Sequence, residues 1–311
     1  IQQYGAEVLR LWVAASDYRN DVRLSDAILK GLSEGYRKIR NTLRYALGNL
    51  HDFHPAKDAV PAEALSPLDQ WARGRLSQVV ARVRQAYEDY EFHLVYATVV
   101  DFCANDLSAV YFDILKDRLY TAKADGPARR GAQTVLHEVV TVLLPLLAPV
   151  MSFTAEEAWQ HLPGEHTESV FLAGFPEPKG AMAPGLAERY AKLFAVRSAV
   201  QGVLEVARRD KRIGASLEAR VVLSASGPVA ELLQAHLSEL PGLFIVSQVD
   251  WTDTASDVAT VLDVSQAFGD GASLSVEVLP AKGTKCPRCW VYSEAVGQGD
   301  ELCLKCREAL A

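Results

Sequence analysis

Four cysteines constrain this chain more than anything else in it. Cys286-Pro287-Arg288-Cys289-Trp290 is followed by Cys303-Leu304-Lys305-Cys306, with Gly297, Gly299 and Asp300 in the short loop between the pairs. Each Cys-x-x-Cys pair turns two thiolates toward one point, and the loop lets the second pair fold back onto the first. Four soft sulfurs in a tetrahedron are the donor set of a structural zinc ion. The spacing between the pairs is slightly shorter than the usual four-cysteine template and fits a zinc ribbon or knuckle. Two disulfides and a thioredoxin-like redox pair are the competing readings. The rest of the chain holds one cysteine, Cys103, which is not the usage of a disulfide-built secreted protein. Neither pair opens a helix in a βαβ pattern, as a redox pair would. A closed four-thiolate site keeps no open coordination position, so the metal is expected to hold structure rather than to catalyse.

A length of 311 residues suits two or three domains, and 49% hydrophobic with 23% charged residues is ordinary for a globular chain. No apolar run approaches the ~20 residues that span a bilayer; the longest, Val139 to Met151, is broken by Pro145 and Pro149. No signal peptide opens the chain, and free thiols suit a reducing compartment, so a cytoplasmic location with no membrane partner is expected. There is no initiator Met, and Ile1-Gln2-Gln3-Tyr4 reads as part of a helix. The chain is therefore expected to be a fragment lacking its N-terminal portion.

The net charge of -7 argues against a nucleic-acid partner until its distribution is considered. Between Glu34 and Asp52 stand Arg37, Lys38, Arg40 and Arg44 with no acid, and between Asp69 and Glu88 stand Arg73, Arg75, Arg82 and Arg84, again with none. From Val221 to Ala281 there are eight acids and neither Lys nor Arg. Exposed charges are screened beyond roughly 8–10 Å, so local sign decides phosphate binding. Two helical stretches are candidates for a polyanion, and the acidic stretch is a poor one.

Apolar periodicity predicts helices for most of the first half. Tyr4, Val8, Leu11 and Trp12 mark one over residues 1–15. A second is capped by Ser25 or Asp26 and runs to about Leu50 on a stripe of Ile28, Leu32, Tyr36, Ile39, Leu43, Leu47 and Leu50. Its arginines at 37, 40 and 44 share one flank, where no acid within a turn is expected to answer them. A linker from His54-Pro55 to Ser66-Pro67 leads to helices over 67–91, 91–116 and 126–144, the last interrupted by Pro145 and Pro149. Thr154 and Glu157 form a capping box for the next. Aromatics at 92, 96, 102, 111 and 112 read as core, and Cys103 as a buried thiol. Gly and Pro between Pro163 and Pro184 mark a boundary. A helix over 186–211 and strands over 220–225, 243–249, 259–264 and 274–279, with a helix over 228–240, predict a small α+β domain.

No P-loop, G-x-G-x-x-G, H-E-x-x-H or G-x-S-x-G is present, and the seven histidines lack metal-ligand spacing. No catalytic residue is assigned.

Three stretches together resemble the C-terminal part of a bacterial-type isoleucyl-tRNA synthetase. They are Tyr4-Gly5-Ala6-Glu7-Val8-Leu9-Arg10-Leu11-Trp12; Tyr36-Arg37-Lys38-Ile39-Arg40-Asn41-Thr42 with Lys116-Asp117-Arg118-Leu119-Tyr120; and Gly283-Thr284-Lys285-Cys286 through Trp290 with Cys303 to Cys306. Ile213-Gly214-Ala215-Ser216-Leu217-Glu218-Ala219 is similar to that family's junction region. The resemblance implies a mainly α fold: a connector over 1–20, a helical-bundle anticodon-binding domain over 21–165, a small α+β junction domain over 184–280 and a zinc-binding tail over 281–311. The catalytic signatures are absent, so ATP and Mg2+ would act only in a missing catalytic core, and the fragment alone is expected to be inactive. A monomer binding isoleucine-accepting tRNA is implied. Arg37, Lys38, Arg40, Asn41, Arg44, Arg73 and Arg75 are candidate tRNA contacts, with Arg288, Trp290, Lys305 and Arg307 in the tail. Trp290 is either a stacking platform or core of its small module, and the tail either clamps RNA or packs on the bundle. A zinc-ribbon scaffold for protein partners and a thiol-exchange enzyme using Cys286 and Cys289 are the other classes of reading.

Overall fold

The computed structural model describes residues 2–180, 182–297, 299 and 301–311. Thirteen α-helices and six strands account for most of it: α1 (Ala6–Ala15), α2 (Asp26–Gly48), α3 (Pro55–Asp58), α4 (Pro67–Glu88), α5 (Phe92–Asp101), α6 (Phe112–Thr121), α7 (Pro127–Leu147), α8 (Ser152–Trp159), α9 (Leu186–Arg209), β1 (Ala219–Ala225), α10 (Gly227–Ala235), α11 (Leu240–Phe244), β2 (Gln248–Trp251), β3 (Thr260–Asp263), α12 (Ser265–Phe268), β4 (Ser273–Pro280), β5 (Thr284–Lys285), β6 (Tyr292–Ser293) and α13 (Leu304–Leu310). They form two compact units: Ile1–Leu115 with Ala124–Pro184, and Lys116–Lys123 with Gly185–Ala311.

The first unit is a helical bundle. Its core is the apolar face of α7, where Val135, Leu136, Val139, Val140, Leu143 and Leu144 are fully buried, packed against α4 and α2. Ser25 caps α2 by accepting from the Ile28 amide at 3.2 Å. The stripe of α2 begins later than its periodicity suggests, because Ile28 is exposed. At Gly35, α2 comes so close to α5 that a Cβ would stand 2.1 Å from the Tyr96 hydroxyl. The far end of α2 is locked by Asp52, which accepts from Arg129 at 2.6 and 3.0 Å and from Gln133 at 2.8 Å.

Four expectations for this unit are corrected. Residues 2–4 form a turn, and α1 starts only at Ala6 because Gly5 holds φ +82°, outside the helical region; Ile1 lies outside the described residues. The helix expected over 91–116 is α5, a π-helical segment Phe102–Tyr111, and α6 in succession. Pro145 does not end α7, which continues to Leu147; so near the terminus a proline costs one backbone bond. Thr154 is not the cap of α8, which starts at Ser152. Its free amides are met instead by Glu7 of α1, whose carboxylate accepts from Phe153 and Thr154 N–H at 2.8 and 2.9 Å, a negative charge at a positive helix end.

The second unit centres on a four-stranded sheet in the order β2-β1-β4-β3. β1 runs parallel to β2 and antiparallel to β4, and β3 pairs antiparallel with β4. Val221 and Leu223 of β1 and Leu274, Val276 and Val278 of β4 alternate inward. They are covered by α9, whose Val196, Val200 and Leu204 are buried. The strand expected over 243–249 begins as the end of α11 and becomes β2 only at Gln248; Pro241 starts that short helix and Ile245, at φ +61°, stops it. The β5–β6 hairpin and α13 carry the cysteines.

Candidate metal centre and nucleic-acid interface

Cys286 and Cys289 flank the turn after β5, and Cys303 and Cys306 flank the first turn of α13. The hairpin closes because Gly283 sits at φ +87°, where a Cβ would lie 2.3 Å from the Ser293 carbonyl carbon. All four thiols are buried, and their sulfurs lie within 4.8 Å of one another. Val296, with Val291 and Leu302, supplies the remaining packing, so the module's core is largely its own ligand set. No disulfide joins the cysteines. At Cys286 burial pushes the thiol up, but amides of Cys289, Cys303 and Arg288 point at the sulfur and outweigh it, bringing it down to about 6. Burial raises Cys289 and Cys303. Four converging sulfurs, one already served by amide donors, fit zinc: Cys286, Cys289, Cys303 and Cys306 would hold it, and its charge would supply what keeps the thiolates together. Cys103 is a buried thiol raised to about 12 by its surroundings and has no part in this.

In the loop between the pairs, Gly297 and Gly299 adopt φ +94° and +97°; Asp300 lies outside the described residues. Trp290 directly follows a ligand at φ +66°, in the left-handed region, and is 61% exposed. A non-glycine residue there costs about 1–3 kcal/mol, and an indole this exposed recovers little of it by burial. Lys285 stands over its ring at 5.3 Å. Trp290 is therefore surface, not module core.

The basic candidates divide sharply. Arg73 pairs with Glu138 at 2.6 Å and Arg75 with Asp106 at 2.9 Å. Arg37 pairs with Glu34 at 2.7 Å, an i, i+3 partner that the expectation of an acid-free flank overlooked. Arg288 donates to the Thr121 carbonyl and Lys305 to the Asp117 carboxylate. Arg307 is half-buried and engaged within the protein. By contrast Lys38, Arg40, Asn41 and Arg44 are exposed on α2. Arg40 and Arg44 rim a groove against α8, with His51 and His161 also at its edge, Leu43 and Leu47 in its floor, and one acid, Glu157. The partners of Arg288 and Lys305 were missed in sequence, although Lys116-Asp117-Arg118-Leu119-Tyr120 drew notice as a family-like stretch.

Comparison with known proteins reaches the same regions. A family model described as the anticodon-binding domain of tRNA ligase matches residues 69–223, and one described as a zinc finger found in FPG and IleRS matches residues 283–309. An isoleucine–tRNA ligase from Syntrophotalea carbinolica is 48% identical over 98% of this chain and 33% of its own length. One from Symbiobacterium thermophilum is 49% identical, also over 98% of this chain and 33% of its own length. Over nearly its whole length the chain is similar to isoleucine–tRNA ligases. It spans about a third of the length of the curated relatives it matches. Among solved structures, the LeuRS of a crystallised ternary complex with tRNA and LeuAMS, from Agrobacterium radiobacter K84, has a TM-score of 0.38 at 13% identity, covering 72% of this chain and 22% of that one. That likeness is too distant to carry weight. Among the described residues no helix is long and apolar enough to cross a membrane.

Proposed function

We propose that this chain is the tRNA-binding portion of an isoleucine–tRNA ligase, acting as a monomer in the cytoplasm on isoleucine-accepting tRNA. The whole enzyme would join isoleucine to that tRNA using ATP and Mg2+ in a catalytic core that is no part of these 311 residues. The observation that carries this reading is the row of cations on α2: Arg40 and Arg44 are exposed and, among the described residues, have no acid partner. Guanidinium groups four residues apart on a helix stand about 5–6 Å apart at their Cβ atoms and suit successive backbone phosphates, which set register without reading sequence. Lys38 and Asn41 flank them. Arg37 joins readily, because an exposed ion pair such as Arg37–Glu34 contributes only about 0.2–1 kcal/mol and a phosphate displaces it. Arg73 and Arg75 are held by Glu138 and Asp106 and serve the fold, leaving the phosphate contacts to α2.

In the other unit, Trp290 offers an indole face for an unstacked base, worth about 1–3 kcal/mol, with Lys285 beside it. Arg288, Lys305 and Arg307 act as supports for that face and, secondarily, as backbone contacts. Anticodon reading and the domain limits at 21–165, 184–280 and 281–311 belong to the same proposal. Binding of cognate tRNA and an anticodon-swapped version, each across a salt series, tests it. The proposal expects affinity that falls steeply with salt and is weaker for the swapped tRNA. Equal binding of both removes anticodon recognition, salt-insensitive binding removes the phosphate contacts of α2, and no tRNA binding at any salt removes RNA altogether in favour of a protein-docking scaffold.

A further inference from the structure

α6 ends at Thr121, and the last carbonyls of any helix lack intrahelical partners and carry the negative end of its dipole. Asp117, one turn from that end, is an acid where the dipole disfavours one. Both problems are answered from the zinc module, which belongs to the same compact unit as Lys116–Lys123. Arg288, between the first two cysteines, donates to the Thr121 carbonyl, and its Nη1 also lies 3.5 Å from Cys306 Sγ. Lys305, between the second two, pairs with the Asp117 carboxylate. Asp117 is itself oriented by the Thr121 hydroxyl, which donates to Oδ1 at 2.8 Å. The contacts close a ring from Cys306 through Arg288, Thr121, Asp117 and Lys305 back to the ligand helix α13.

We infer that Asp117 is a positioning residue: with the Thr121 carbonyl it seats the zinc module on the end of α6 and so fixes the direction in which Trp290 faces. This rests on the proposal that Trp290 meets RNA. It also reassigns two basic residues of the tail: Arg288 and Lys305 orient the module through α6 before they attract phosphate.

Charge makes the idea separable from plain electrostatics. Removing an acid near an RNA site, or replacing it with a cation, strengthens RNA binding if only local charge matters. Positioning predicts the opposite. With the zinc-loaded full chain and an isoleucine-accepting tRNA transcript, Asp117→Asn and Asp117→Lys are expected to weaken binding about two- to fivefold. That range suits a pair whose side chains are 50% and 45% exposed. Zinc content should stay at one per chain. Lys305→Asp alone should weaken binding, and the Asp117→Lys/Lys305→Asp swap should recover most of it. Quenching of Trp290 emission, taken as the difference from matched Trp290→Phe chains, should change in Asp117→Asn and return in the swap. Unchanged or tighter binding by Asp117→Asn and Asp117→Lys, with unchanged quenching, overturns the inference. If Trp290→Ala leaves tRNA affinity intact, it is the RNA role of the tail that fails. The quenching comparison then still decides whether Asp117 positions the module.

Discussion

In α2 and α4 the sequence shows the same pattern: arginines spaced along a helix with no acid among them. In the fold they part. Three of the four arginines of α4, Arg73, Arg75 and Arg84, find Glu138, Asp106 and Glu177 across the bundle, all within 3 Å, and the exposed Arg82 alone has no ion pair among the described residues. On α2 only Arg37 is answered, and by its own neighbour Glu34. Arg40 and Arg44 face outward over a groove. A charge run free of local acids thus means one thing on a helix whose flank faces other helices and another on one whose flank faces solvent. The first is cross-linking and the second is availability.

The largest effect expected from any perturbation lies outside both helices and isolates them. Structural zinc contributes about 10–16 kcal/mol to small modules, so a chelator should unfold the tail, detected as four newly reactive thiols and a change in Trp290 emission. The salt-dependent binding due to α2 should survive it. Loss of all tRNA binding on chelation would show that α2 does not act on its own.

Next in size is the lock at the end of α2. Hydrogen bonds from Arg129 first, and then from Gln133, hold the Asp52 carboxyl well below the usual carboxylate range against a modest cost of burial. A carboxylate depressed in the folded state stabilises above its unfolded pKa of about 3.9 and loses that contribution as pH falls below it. Urea melts should therefore show a decline below about pH 4 that Asp52→Asn lacks. Asp52→Ala should cost about 3 kcal/mol near neutrality, because it strands a buried Arg129. A cost under 0.5 kcal/mol would mean α2 is not held there.

Smaller again is the α4 set. Arg73→Ala should lower stability by about 1 kcal/mol, the scale of a half-buried charged hydrogen bond, while leaving the salt dependence of tRNA binding unchanged. A changed slope would erase the distinction between the helices.

Much of this was legible in the residues. The 3.6-residue period located α2, α4, α7 and α9, and alternation located β1 and β4, because burial on one face writes itself into sequence. The cysteine pairs announced their own cluster for the same reason: ligand spacing is local. What stayed hidden is what one element does to another. Glu7 capping α8, Glu138 answering Arg73 and Asp117 holding Lys305 join residues 65 to 188 positions apart, and nothing in either partner's neighbourhood marks the match. The π-helical segment Phe102–Tyr111 also had no signal. Within it, Phe102 and Tyr111 are buried, and the Tyr111 hydroxyl reaches Asp69 at 2.7 Å. Trp290 was undecided because a tryptophan next to a zinc ligand reads equally as core or surface until its backbone conformation is known.

The contrast between α2 and α4 is tested most directly by the salt dependence of tRNA affinity in two double variants. Each phosphate contact contributes about 0.7–0.9 to the slope of log affinity against log salt. Arg40→Ala/Arg44→Ala should flatten the slope by roughly 1.4–1.8 with stability changed by less than about 0.5 kcal/mol, whereas Arg73→Ala/Arg75→Ala should lower stability and leave the slope alone. An unchanged slope in the α2 pair, or an equal loss in both, would contradict the assignment of α2 as the RNA-facing helix.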